Sequence, residues 1–414
     1  MYITDVSNLS HFHVYPHKTE DAQLREAQST SFQTAIENGI AKINNGNIRG
    51  ITKLGHPKII GITMSAPEVK QLADWIVYYK NNLIKEKKEE GAVKSSENPT
   101  CPRSFQISKD DDIIHFNKKS ETLIQKGSAN KIKLSLSLRT CTVVIRATPS
   151  RNHPRFIERS KRQYDWSQKL QENPSLIKIH KFDEFKSKTG DLKGQLLMEF
   201  HPKGDLLTAI YRNTLTFKEK GVIAKEGLKA LVFLDEKKVI HRDIKEENIL
   251  LNKENKPVFA DLEFMCHMEE DKQRELMCGT PECLTPQEHK LIYVPNFGAR
   301  GELIYNEDIP RGEIKDLTTP QRNVYEFGVL LASLFYNRFI KDSKNAPAHS
   351  FIMSAFEIIL VQHPDQKPLL DVISKMIEPD QTKRISPKEA LACFETIFPH
   401  SNTNTLHPIQ PNIT

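Results

Sequence analysis

No apolar run in this 414-residue chain reaches the roughly 18 residues that a membrane-spanning helix needs, so membrane insertion is not expected. The N-terminal Met1-Tyr2-Ile3-Thr4-Asp5 lacks the basic and apolar regions of a secretory signal. Cysteine is scarce. The 6 cysteines are Cys101, Cys141, Cys266, Cys278, Cys283 and Cys393, and none forms a C-x-x-C pair. That argues against a disulfide framework and for a reduced, cytoplasmic setting. Cys266, His267, Cys278 and Cys283 fall near one another, but their spacing matches no zinc pattern, and ordinary thiols are the expectation. An excess of one charge is lacking too. Lys and Arg number 59 against 53 Asp and Glu, a diffuse net +6 that makes no case for nucleic acid. No internal repeat is found. What is present, 38% hydrophobic and 27% charged residues, suits a globular protein of two or three domains.

Residues 1–86 read as a small, mainly helical extension. From Thr19 to about Asn44, Phe32, Ala35, Ile36, Ile40 and Ile43 recur at helical spacing. The stretch Ile48 to Thr63, punctuated by Gly50, Gly55 and Pro57, predicts a short hairpin. Ser65-Ala66-Pro67-Glu68 is a capping box that opens a second helix, with Val69, Leu72, Ile76, Val77, Tyr79 and Leu83 on its apolar face. The extension carries no catalytic signature; it suits packing on the next domain or binding a regulatory partner. Residues 87–104 are charged, then Ser- and Pro-containing, and read as a flexible linker. Residues 105–399 form the main domain, and 400–414 a polar, disordered tail.

The main domain holds Val239-Ile240-His241-Arg242-Asp243-Ile244-Lys245-Glu246-Glu247-Asn248-Ile249-Leu250-Leu251. It fits H-R-D-x-x-x-x-N without a gap, and its apolar end reads as a buried strand that anchors the loop. After a turn-like stretch through Pro257 comes Ala260-Asp261-Leu262-Glu263. Together, in this order, the two motifs resemble the catalytic loop and metal motif of the protein kinases, with Leu-Glu in place of Phe-Gly. The resemblance implies an α+β, two-lobed fold: a small β-rich N-lobe over about 105–198 and a large helical C-lobe over about 199–399. It implies phosphoryl transfer from ATP, with Mg²⁺, to a protein hydroxyl. Asp243 would orient and deprotonate the hydroxyl, Lys245 would neutralise the moving phosphoryl group, and Asn248 and Asp261 would hold the metal. Lys245 in that place is the serine/threonine form.

Gln195 to Leu207 resembles the last strand and hinge between the lobes. Met198 would flank the adenine, the backbone of Glu199 and His201 would bond its edge, and Asp205 would meet the ribose. Cys278-Gly279-Thr280-Pro281-Glu282 to Glu288 resembles the end of an activation segment, with the glutamate one place late; Glu288 is expected to pair with Arg384. Asn323 stands where the family has Asp and is expected to keep acceptor geometry for the catalytic loop.

The N-lobe departs further. Gly127 alone remains of the glycine-rich loop. Arg146, in Thr142-Val143-Val144-Ile145-Arg146, replaces the phosphate-binding lysine, and no lysine occurs from 134 to 160. Asp165 lies where a helix acid would hold that cation. Lys131 or Lys133 could serve instead, as in the with-no-lysine kinases, or Arg146 could be a surface residue. Arg151, Arg155, Arg159 and Arg162 recur near helical spacing; they suit a solvated face, or an acidic or phosphate partner. Between Phe264 and Cys278 there is no Ser, Thr or Tyr, so a phosphorylation switch has no acceptor there. These departures keep a second reading open, a pseudokinase that serves as a nucleotide- or partner-binding scaffold. A small-molecule kinase is a third. An unfamiliar extension on such a domain also suits a secreted bacterial effector acting in a host cell.

Overall fold

The computed structural model describes residues 58–59, 62–63, 105–107, 113–116, 130–137, 142–149, 154–186, 190–201, 203–268, 283–288, 293–295, 303–305, 319–336 and 348–399. The chain divides into two compact units, residues 1–124 with 134–143, and residues 125–133 with 144–414. In the first, β1 (Lys58–Ile59) and β2 (Ile62–Thr63) pair antiparallel, within the stretch expected to form a hairpin. Further along, β3 (Phe105–Ile107) pairs antiparallel with β4 (Ile113–Phe116), and β4 with the end of β5 (Asn130–Ser137). The expected extension helices, the linker, the tail and Gly127 lie outside the described residues.

The second unit carries the kinase-like motifs. Strand β6 (Thr142–Pro149) runs antiparallel to β8 (Leu192–Glu199), with Arg146 opposite Leu197, and β8 in turn pairs with β7 (Ile179–Lys186). Between β6 and β7 in the chain lies α1 (Pro154–Lys169). Proline suits its first turn, where the missing N–H is not needed. The helix buries Ser160, Gln163, Trp166 and Ser167 and packs on β7 and β8. Ser167 clips it there: its hydroxyl donates to the Ile177 carbonyl and accepts the Ile179 N–H, both at 2.8 Å.

From here the unit is mainly helical. The short α2 (Leu206–Tyr211) precedes α3 (Phe217–Glu236), which opens on a capping box between Thr216 and Glu219. Then come β9 (Val239–Ile240), β10 (Ile249–Leu251), β11 (Pro257–Phe259) and β12 (Cys266–His267). Among the described residues four helices follow: α4 (Gln321–Tyr336), α5 (Ala348–Gln362), α6 (Lys367–Met376) and α7 (Pro387–Ile397). Their apolar faces meet in one core. Leu228, Leu231 and Leu234 of α3 pack with Phe327, Leu331 and Leu334 of α4, Ile373 of α6 and Phe394 of α7. Each such side chain adds about 1.5–3 kcal/mol by leaving water. The approach of α3 to α4 is so close that a Cβ on Gly227 would strike the Phe327 ring. The helix α4, buried along nearly its whole length, is therefore fixed, and it is the platform from which the site is held.

Candidate active site

Two strand pairs frame the catalytic loop. Ile240 of β9 pairs with Cys266 of β12, and Ile249 of β10 with Phe259 of β11. All four are buried, so the ends of the loop have little freedom. The backbone between them turns through Arg242, at φ 73°, in the left-handed region. Side chains from one end of α4 hold that backbone. Asn323 Oδ1 accepts the His241 N–H at 2.8 Å, while its Nδ2 donates to the Val239 carbonyl at 3.0 Å. The expected acceptor is there, and Asn adds a donor that a carboxylate lacks. Glu326 Oε2 accepts the Ile244 N–H at 2.9 Å, and Arg322 Nη2 donates to the Arg242 carbonyl at 3.2 Å.

Within the loop, Asp243 is buried and oriented by two donors on one oxygen. Lys245 Nζ lies 2.9 Å and Asn248 Nδ2 2.7 Å from its Oδ2. Burial works against the Lys245 ammonium, but Asp243, Glu247 and Asp261 hold its pKa above the ordinary lysine value. Asn248 Nδ2 also donates to the Asp243 carbonyl at 2.9 Å. Its own carbonyl accepts the Ala260 N–H at 2.8 Å, which stitches the catalytic loop to the metal motif.

Asp261 adopts left-handed φ 60°, ψ 63°, and Leu262–Phe264 follow as a 3-10 turn. Burial, then the nearby Glu263 and Asp243 carboxylates, push the Asp261 carboxyl up to about 7, against the pull of Lys245 and Arg159. The repulsion that Asp261 meets from Glu263 and Asp243 is what a bound cation would relieve. The oxygen donors of Asp261 and Asn248 are the hard ligands that Mg²⁺ takes, so these residues fit the metal that the family uses.

The helix opposite this turn corrects one expectation. Asp165 is exposed on α1, although it was expected to hold Arg146. The reason is helical phase: it lies two residues past the buried Gln163, about 200° round the axis. The charge that α1 brings to the metal motif is instead a cation. Arg159 Nη1 lies 3.3 Å from Glu263 Oε1, and Arg162 Nη1 donates to the Glu263 carbonyl at 3.5 Å. A solvated face was the first expectation for the arginine row; Arg159 and Arg162 instead meet an acidic residue inside the chain. Arg146 is half-buried on β6.

At the hinge, Met198 packs partly buried against the core. The Glu199 N–H donates to the Lys178 carbonyl at 3.0 Å, and the His201 carbonyl accepts the Gly204 N–H at 3.1 Å. An adenine edge would therefore use the other backbone groups of these two residues. Burial drives the His201 imidazole down to about 4 and keeps it neutral, so its 3.6 Å approach to Glu199 is not an ion pair. Asp205 has a job in the fold: Oδ1 caps α2 by accepting the Thr208 N–H at 2.7 Å.

The expected Glu288–Arg384 pair is not formed. Glu288 Oε1 meets Arg322 Nη1 at 2.8 Å, and Arg322 Nε meets Glu326 Oε1 at 2.9 Å. Arg384 spends its guanidinium on the carbonyls of Glu378, Gln321 and Pro379 and lies 5.1 Å from the centre of the Tyr325 ring. Sequence reasoning missed Arg322 and Glu326. The signal was available: an Arg and a Glu four apart inside an otherwise apolar helix are buried together or not at all.

Residues 127–291 match the family model described as the protein kinase domain. The chain contains a protein kinase domain. Over 99 residues it is 39% identical to the serine/threonine-protein kinase CST20 of Candida albicans, an overlap of 23% of this chain and 8% of that one. It is 37% identical over 99 residues to the serine/threonine-protein kinase STE20 of Debaryomyces hansenii, 23% of this chain and 9% of the relative. It is also 34% identical over 93 residues to the phosphorylase b kinase gamma catalytic chain, liver/testis isoform, of Bos taurus, covering 22% and 23%. The chain thus spans less than a quarter of the length of these curated relatives. The kinase domain joins a β-rich N-terminal part to a mainly helical C-terminal part, and no described helix is long and apolar enough to cross a membrane.

Proposed function

We propose that this chain is an ATP-dependent protein serine/threonine kinase. The observation that carries the reading is the buried Asp243 carboxylate, oriented at one oxygen by both Lys245 and Asn248 and bonded through Asn248 to the strand that delivers Asp261. A fixed carboxylate beside a retained ammonium is what in-line transfer needs: a base to take the hydroxyl proton and a cation to meet the developing phosphoryl charge. Asp243 takes the proton, and Lys245 meets the charge. Asn248 and Asp261 would hold Mg²⁺, which supplies charge neutralisation on the phosphates when bound. Arg146 is the strand cation for the phosphates, with Gly127 in the covering loop. Met198, Glu199 and His201 line the adenine side, and Asp205 the ribose side. Residues 1–86 carry none of the kinase motifs and are taken as a regulatory, partner-binding segment of a cytoplasmic protein. The test is transfer of labelled γ-phosphate to a general protein substrate in Mg²⁺, with Asp243→Ala beside the parent. Loss in the variant supports the reading; equal incorporation by both, or none by either, overturns it in favour of a scaffold.

A further inference from the structure

Glu263 occupies the place where the kinase resemblance expects glycine, the residue type with no side chain to accommodate. Here a carboxylate has been placed next to two others that the chemistry needs. Such an intrusion is tolerable only if something answers its charge. Arg159 does so at 3.3 Å, from α1, with side-chain exposures of 29% and 14% for the two partners. The Arg159 guanidinium also lies 5.0 Å from the centre of the Phe264 ring, on the same 3-10 turn, and 5.8 Å from that of Phe156 on its own helix. Arg162 adds a contact to the Glu263 carbonyl, so side chain, ring and backbone of the turn are all gripped from one helix.

We infer that Arg159 and Glu263 are positioning residues for phosphoryl transfer. Their ion pair fastens α1 to the turn that follows Asp261, and so fixes the metal-binding carboxylate. The inference rests on the kinase reading. The usual tether joins a strand lysine to a helix acid; in this chain the helix supplies the base, and the metal motif supplies the acid. Asp165 is therefore not needed for the purpose, and its exposure on α1 follows.

The test uses the full chain and four variants: Arg159→Ala, Arg159→Lys, Glu263→Gln and the double Arg159→Ala/Glu263→Gln. Turnover is resolved into kcat and KM for ATP, and the rise in Tm on adding Mg²⁺ with a non-hydrolysable ATP analogue is read alongside. Arg159→Ala leaves Glu263 unanswered beside Asp261 and is expected to lower kcat/KM by about 10- to 100-fold, mostly in kcat. Arg159→Lys should retain most of the rate. The double variant should be no worse than Arg159→Ala, because the two residues act as one unit. Parent rates in Arg159→Ala, or losses that simply multiply in the double variant, overturn the inference. If the parent and Asp243→Ala are equally inactive, the kinase reading fails, and the positioning claim is decided by the Tm shift alone. There the claim requires a shift lost in Arg159→Ala and kept in Arg159→Lys; any other pattern overturns it.

Discussion

The catalytic loop and the strand–helix region that precedes it are held by different kinds of bond. Around the loop, α4 reaches backbone atoms: Asn323, Glu326 and Arg322 bond the amides and carbonyls of Val239, His241, Arg242 and Ile244. Around the metal motif, α1 reaches mainly a side chain, through Arg159 and Glu263. Backbone groups cannot change their polarity, so the residues that serve them are confined to acceptors and donors of the right shape. Two side chains that serve each other can exchange roles. That is why Asn stands in for Asp at 323 with the loop contacts intact, whereas the charge pair near the metal motif is inverted.

The sharpest way to break this comparison is at Arg322, which serves both kinds of partner. It lies between Glu288 and Glu326, all three are buried, and it bonds the loop carbonyl as well. Arg322→Ala strands two buried carboxylates. It should cost about 3–5 kcal/mol, the usual toll for removing one member of a buried ionic group. Urea unfolding measures it, and activity should vanish with the loop geometry. A loss no larger than that of Lys367→Ala, whose pair with Asp371 is exposed, would show that the network does not hold the loop.

The next effect tests whether the backbone contacts dictate residue type. Restoring the family residue with Asn323→Asp should destabilise by about 1–3 kcal/mol, since the Val239 carbonyl loses its donor and faces a carboxylate instead. The added charge would also sit three residues from the buried Glu326. A stabilised Asn323→Asp would mean that the charge at 323 matters more than the donated hydrogen bond.

The legibility of this molecule follows the same division. The loop and the metal motif could be read because chemistry fixes residue type and spacing there; β10, β11 and the turn between them lie where Ile249-Leu250-Leu251 and the stretch through Pro257 placed them. A strand ending at Glu199 was legible too. Pairings of side chains across the fold were not. Asp165 was assigned by its distance along the chain, but helical phase decides which residue faces inward. Glu288 was matched to Arg384, but a nearer guanidinium on α4 captured it. Local spacing carries no information about which of several cations arrives first; only packing does.

A smaller effect concerns Arg146. If it supplies the strand cation for the phosphates, Arg146→Ala should weaken ATP binding by about tenfold, while Arg146→Lys keeps most of it. Isothermal titration with Mg²⁺–ATP measures both. Binding unchanged in Arg146→Ala but weakened in Lys131→Ala or Lys133→Ala would move the phosphate contact to the neighbouring strand.

The smallest effect is a pH slope, and it separates the buried acid on α4 from the buried imidazoles. Burial pushes the Glu326 carboxyl up to about 7, with Arg322 and the Ile244 N–H pulling the other way and Glu288 and Asp243 adding to the rise. Its folded pKa thus exceeds the unfolded value, and the folded state takes up the proton first. This group's contribution to stability therefore grows as pH falls from 7 toward 5. His201 and His241, both pushed down to about 4 mainly by burial, act in the opposite sense: the unfolded state protonates first, so stability is lost as pH falls below about 6.5. In the parent the two trends offset one another. Glu326→Gln removes only the acid's trend. Between pH 7 and pH 5 its unfolding free energy should fall, relative to the parent's, by about 1 kcal/mol per pH unit, whatever the variant costs at pH 7. Parallel pH profiles for the two proteins would show that Glu326 stays ionised in the fold, its charge answered in full by Arg322.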